Sequence, residues 1–77
     1  ELSPREARIL ELLCLSKGET LYTKPLLLEL WGDDSFFNSR SLQVFISKLR
    51  RRLEKDPGIR IVNVRGEGYR LVERQGY

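Results

Sequence analysis

The sequence has no histidine and no methionine, and a single cysteine, Cys14, among its 77 residues. Lack of an imidazole removes the commonest general base and any His-ligated metal, and one thiol can close neither an internal disulfide nor a Cys-rich zinc site. The carboxylates Asp33 and Asp34 are adjacent with nothing to pair against, so no acid–base constellation forms. The chain is therefore expected to be no enzyme and to hold no cofactor and no metal. Long apolar runs are missing as well: the run from Pro25 to Leu28 is far short of the roughly 20 residues that a membrane span needs. No basic, apolar, small-residue signal opens the chain, and a lone thiol suits a reducing compartment, so the expectation is a cytoplasmic protein with no membrane partner. Two domains do not fit in this length, and one core is only just sufficient.

What is present is charge, and its placement is uneven. Residues 1 to 39 carry four basic and seven acidic side chains, whereas residues 40 to 77 carry ten basic and four acidic. Arg40, Lys48, Arg50, Arg51, Arg52 and Lys55 lie within one short stretch against a single acid, Glu54. Such a cluster is either a solvated face or a surface for a polyanionic partner.

Three helices followed by two strands are expected. The first, over about 4–16, opens on Ser3-Pro4-Arg5-Glu6, in which Ser3 caps, Pro4 sits where no N–H is needed and Glu6 completes a capping box. Its apolar residues surround it: Ala7, Leu10, Leu13 and Cys14 are expected on the core face, with Ile9, Leu12 and Leu15 opposite. Cys14 is thus read as packing rather than chemistry. Thr20 to Tyr22 has β character and leads into Thr23 as a cap for a second helix over about 24–31, which Gly32 stops. Trp31 closes that helix as a half-buried aromatic whose indole N–H is free to meet an acceptor. A polar loop over 33–38 contains Phe36 and Phe37, and Asn38 or Ser39 caps a third helix over about 39–55, ended by Asp56-Pro57-Gly58.

On the third helix Leu42, Phe45, Ile46, Leu49 and Leu53 recur at helical spacing and face the core. Arg40, Val44, Ser47, Lys48, Arg51 and Lys55 fall opposite, with Ser41, Gln43, Arg50 and Arg52 on the shoulders. Cations and hydroxyls suit phosphates and base edges, and a valine suits a thymine methyl. A β-hairpin over about 59–72 follows, turning at Gly66-Glu67-Gly68, with Arg65 at its tip either as a solvated turn residue or as a groove-inserting one. Three helices and a hairpin, with the third helix basic outward, make an α+β winged helix-turn-helix: a three-helix core with a C-terminal β-hairpin wing.

Leu2-Ser3-x-x-Glu6, Leu27…Leu30-Trp31-Gly32, Arg40-Ser41-Leu42-x-Val44-x-Ile46-x-x-Leu49-Arg50-x-x-Leu53 and Val64-Arg65-Gly66-x-Gly68-Tyr69-Arg70 resemble the C-terminal DNA-binding effector domain of OmpR/PhoB-type response regulators. The resemblance covers Leu2 to Leu71. It implies a third helix in the major groove, with Val44 and Lys48 at base edges. Trp31, Arg40, Ser41, Ser47, Arg50 and Asn63 would approach phosphates, and Arg65 on the wing would enter the minor groove. Asp33, Asp34, Ser35, Phe36 and Phe37 would form a loop facing RNA polymerase. The sequence departs from the family at Gln43, where an acid is frequent, at Phe45, where His is frequent, and at Asn63, where Thr is usual. The family also carries a four-stranded antiparallel sheet before the first helix, absent from this chain; its loss would explain the second apolar face of that helix. The implied partners are double-stranded promoter DNA in direct repeats, RNA polymerase, an N-terminal receiver domain and a second copy of the chain, in a phosphorelay. A protein-interaction module holding an acidic partner is the rival reading. RNA binding is disfavoured, because regularly exposed stacking aromatics are lacking.

Overall fold

The computed structural model describes residues 2–56 and 58–73. Pro57, part of the expected stop of the third helix, lies outside the described residues. Three helices, α1 (Pro4–Leu15), α2 (Thr23–Trp31) and α3 (Phe36–Leu53), combine with three strands, β1 (Thr20–Tyr22), β2 (Ile59–Val64) and β3 (Gly68–Glu73). The strands form one antiparallel sheet in the order β1-β3-β2. The hairpin expected from the sequence is therefore joined by the short β segment ahead of α2, with Tyr22 opposite Gly68 and Thr20 opposite Arg70.

The capping box at the start of α1 is complete: the Glu6 N–H donates to Ser3 Oγ at 3.2 Å, and the Ser3 N–H donates to Glu6 Oε1 at 3.0 Å. Glu6 is buried despite its charge. The packing face of α1 differs in part from the expected one: Leu13 is buried as expected, but with Ile9 rather than with Ala7 and Cys14. Ile9 and Leu13, one and two turns beyond Glu6, are fully buried, while Ala7, Cys14 and Leu15 are exposed. Cys14 is a surface thiol, not a core residue. Because the helix is apolar nearly all round, periodicity alone does not choose between faces.

Two helix starts also shift. Tyr22, with no side-chain capping bond, occupies the N-cap of α2, so Thr23 is already helical. For α3 the cap is Ser35, whose Oγ accepts from the Asn38 N–H, so the helix begins three residues earlier than expected and takes in Phe36 and Phe37. Asp33 decides this: Oδ1 accepts from the Ser35 N–H at 3.0 Å and from Asn38 Nδ2 at 2.7 Å, which holds Asn38 inside the turn rather than at its edge. Gly32, with φ of 83°, closes α2 in the left-handed conformation that a glycine adopts without strain. The helix-to-helix connection is correspondingly short.

The core lies between the helices and one face of the sheet. Leu42, Ile46 and Leu49 of α3 meet Ile9 and Leu13 of α1, Leu26 and Leu27 of α2, and Ile61 and Leu71 of the sheet. Phe45 and Leu53 pack at its margin. The α3 pattern is as the spacing dictates, and it resolves the hairpin, where both faces of β2 are apolar: Ile61 is the side that goes in.

Candidate nucleic-acid interface

Burying Leu42, Ile46 and Leu49 forces the opposite side of α3 into solvent. Arg40, Val44, Ser47, Lys48 and Arg51 are exposed there, Val44 at 54%. Ser41 is half-buried on the flank. The early start of α3 extends this surface by a turn: Phe36 is 69% exposed, and the Arg40 guanidinium stands 5.7 Å from its ring centroid. Lys48 Nζ lies 5.7 Å from the Phe45 ring, which steers the ammonium toward the α2 side of the helix.

One flank of this surface is built by Trp31. Its ring lies between the Arg5 guanidinium, 4.5 Å away, and Phe45, 6.0 Å away, while Arg5 Nη2 donates to the Leu30 carbonyl at 2.8 Å. α1, the end of α2 and α3 thus hold the indole half-buried, with Lys48 on the same Phe45 ring. The other flank is built by the wing. Arg50 reaches across the cleft from α3, donating through Nε to the Ile61 carbonyl at 3.1 Å and through Nη2 to Asn63 Oδ1 at 2.6 Å. Two residues expected to meet phosphate separately are thus held as one unit. Arg50 is half-buried and Asn63 exposed, so the pair presents a charged edge to solvent.

Between α3 and the wing runs a cleft lined by Thr23, Ser39, Gln43, Asn63, Arg65 and Tyr69. Tyr69 and Thr23 are not among the contact residues expected from the sequence. Tyr69 carries a signal in hindsight, as the aromatic of the Gly-Tyr-Arg motif, whereas Thr23 is brought there only by the sheet: its N–H donates to the Glu67 carbonyl at 3.0 Å. Burial pushes the Tyr69 hydroxyl above its usual pKa, with the Arg50 charge opposing. Tyr69 is therefore a neutral donor at physiological pH. Arg65 is exposed at the wing tip, where Gly66 adopts a φ of 76° to make the turn.

The expected polymerase-facing loop is divided by the structure. Asp33, Asp34 and Ser35 are in the connection, but Phe36 and Phe37 form the first turn of α3, packed edge-on at 6.2 Å and exposed at 69% and 80%. Asp34 approaches Lys24 at 3.8 Å. The Ser35 N–H and then Asn38 hold the Asp33 carboxyl below the usual carboxylate range. Among the described residues no group of His, Cys, Asp and Glu could hold a metal ion, and no helix is long and apolar enough to cross a membrane.

The sequence pattern described as "Transcriptional regulatory protein, C terminal" matches residues 1–71. The chain belongs to this family. It has the winged-helix fold of that family's C-terminal domain. Relatives in the family include the transcriptional regulatory protein RprY of Bacteroides fragilis, 42% identical over 94% of this chain and 30% of that protein. Another is the transcriptional regulatory protein YxdJ of Bacillus subtilis, 41% identical over 92% of this chain and 31% of that one. The chain thus spans about a third of the length of the curated relatives it matches. The crystal structure of the DNA-binding domain of Bacillus subtilis CssR superposes with a TM-score of 0.72 at 31% identity, over 92% of this chain and 77% of that one.

Proposed function

We propose that the domain binds double-stranded promoter DNA in a sequence-specific manner, with α3 in the major groove and the β2–β3 wing at the adjacent minor groove. The observation that carries this reading is the outward side of α3. Arg40, Val44, Ser47 and Lys48 share an exposed strip, Trp31 stands on one side of it, and the Arg50–Asn63 pair on the other. A helix lying in a major groove has a phosphate strand on each side, and flanks of this chemistry suit both. Val44 and Lys48 meet base edges; Trp31, Arg40, Ser41, Ser47, Arg50 and Asn63 meet phosphates; Arg65 enters the minor groove.

The remaining partners belong to the same proposal. Asp33, Asp34 and Ser35, with Phe36 and Phe37 on the first turn of α3, face RNA polymerase. In the intact protein a receiver domain and a second copy of the chain place two such domains on direct repeats, in the cytoplasm. A single recognition helix makes few base contacts, so paired occupancy supplies the avidity.

The deciding experiment is selection of bound sequences from random duplexes, repeated with Lys48→Ala. A short motif is expected. The substitution should flatten one or two of its positions and weaken cognate binding by about 1–3 kcal/mol, with little change on scrambled DNA. Equal losses on cognate and scrambled duplexes would remove Lys48 from base reading, and the absence of any motif would overturn the function.

A further inference from the structure

Gln43 is the position at which the outward surface of α3 and the wing cleft meet. It lines the depression along the helix with Arg40, Ser41, Val44 and Ser47, and also the cleft with Asn63, Arg65 and Tyr69. Its side chain is exposed, and its amide makes no hydrogen bond to any described residue. Arg50 and Asn63 are committed to each other, and Lys48 is drawn toward Phe45 on the far side of the helix.

We infer that Gln43 reads an adenine in the major groove, donating from its amide nitrogen to adenine N7 and accepting from the adenine N6 amino group through its amide oxygen. The inference rests on the DNA-reading role proposed above for α3. The chemical ground is that a planar amide carries one donor and one acceptor side by side, the complement of the N7 acceptor and N6 donor that adenine alone presents. No other side chain on this strip offers a donor and an acceptor on two atoms in one plane: lysine and arginine only donate, valine does neither, and the hydroxyls of Ser41 and Ser47 donate and accept at a single oxygen. Val44, next in sequence, would touch a thymine methyl at the neighbouring pair, so the two together favour an A·T step under the middle of the helix. A phosphate contact by Gln43 would instead add affinity on every sequence alike.

The test uses the full chain with Gln43→Ala and Gln43→Glu in selection from random duplexes, together with wild-type binding to a selected operator whose adenine carries carbon in place of N7. The wild-type motif should contain a fixed adenine. Gln43→Ala should make that position tolerant, lowering the preference by about tenfold. Gln43→Glu should move the preference to cytosine, whose N4 amino group a carboxylate accepts. The N7-lacking adenine should cost wild type about tenfold and leave Gln43→Ala unaffected. A motif unchanged by Gln43→Ala, or indifference of wild type to loss of N7, overturns the inference and leaves the DNA-binding function standing. Failure of wild type to select any motif overturns both. Because the side chain is exposed, melting curves of the variants should match wild type, which separates a reading defect from a folding one.

Discussion

Glu6 is the one charged side chain buried among the described residues, and its environment favours the ionised form. The Ser3 N–H holds the carboxyl below the usual carboxylate range, the Ser3 hydroxyl adds to this against the cost of burial, and Arg52 and Lys48 contribute at longer range. A group whose pKa is depressed by folding stabilises the native state above its unfolded value and ceases to do so as pH falls through the folded one. Thermal stability should therefore decline on acidification below the ordinary carboxylate range. Gln in place of Glu6 should lower the melting temperature at neutral pH and shallow that decline, with Asp33 supplying the rest. An acid profile identical in Glu6→Gln and wild type would dismiss the cap as its source. Arg50 offers a second residue-level test. Since its fork ties α3 to Ile61 and Asn63, Arg50→Ala should cost roughly 1 kcal/mol of unfolding free energy in addition to DNA affinity, whereas Arg40→Ala, at an exposed position, should cost affinity alone. Urea midpoints distinguish the two, and an unshifted midpoint for Arg50→Ala would mean that the tie adds nothing to stability.

At the level of elements, the apolar period of α3, the start of α1 and the two wing strands are legible in the residues because each is set by local spacing and capping chemistry. What was not legible was decided by partners far along the chain or by competition among equivalent caps. Ser35, Asn38 and Ser39 are all good N-caps, and only the Asp33 carboxylate, bonded to two of them, selects the first. The packing face of α1 was ambiguous because nearly every face is apolar, and the Arg50–Asn63 contact spans 13 residues that no periodicity connects. β1 shows how one residue type can govern an element. A Cβ on Gly68 would press into the backbone at Leu21 and Tyr22, so strand pairing there requires glycine. Gly68→Ala should destabilise the domain by about 2 kcal/mol and speed amide exchange in Thr20 to Tyr22 more than in Ile59 to Val64. Uniform exchange across both strands would contradict this placement of the strain.

For the whole molecule the relevant quantity is where the charge sits, not its net value of +3. Arg40, Lys48, Arg51 and Arg65 are exposed on the α3 and wing surfaces, while Arg8 is spent on Glu11 and Glu29 between α1 and α2, and Lys17 on Glu73. With Arg40 and Arg50 as the cations proposed to meet phosphate, binding to cognate DNA should weaken with salt at a slope of about −2 in log–log form, near 0.9 for each phosphate neutralised, and Arg40→Ala should reduce that slope by about one. A slope near zero would exclude the phosphate contacts assigned to this face.

The wing is also bolted to the body of the protein, through the Thr23 N–H on the Glu67 carbonyl and the Gly18 N–H on the Leu71 carbonyl. In the proposed docking, helix and hairpin meet a duplex as a rigid caliper of fixed span. Inserting or deleting a single base pair between the steps that they touch should abolish recognition outright, because the jaws cannot open to follow the altered phase of the double helix.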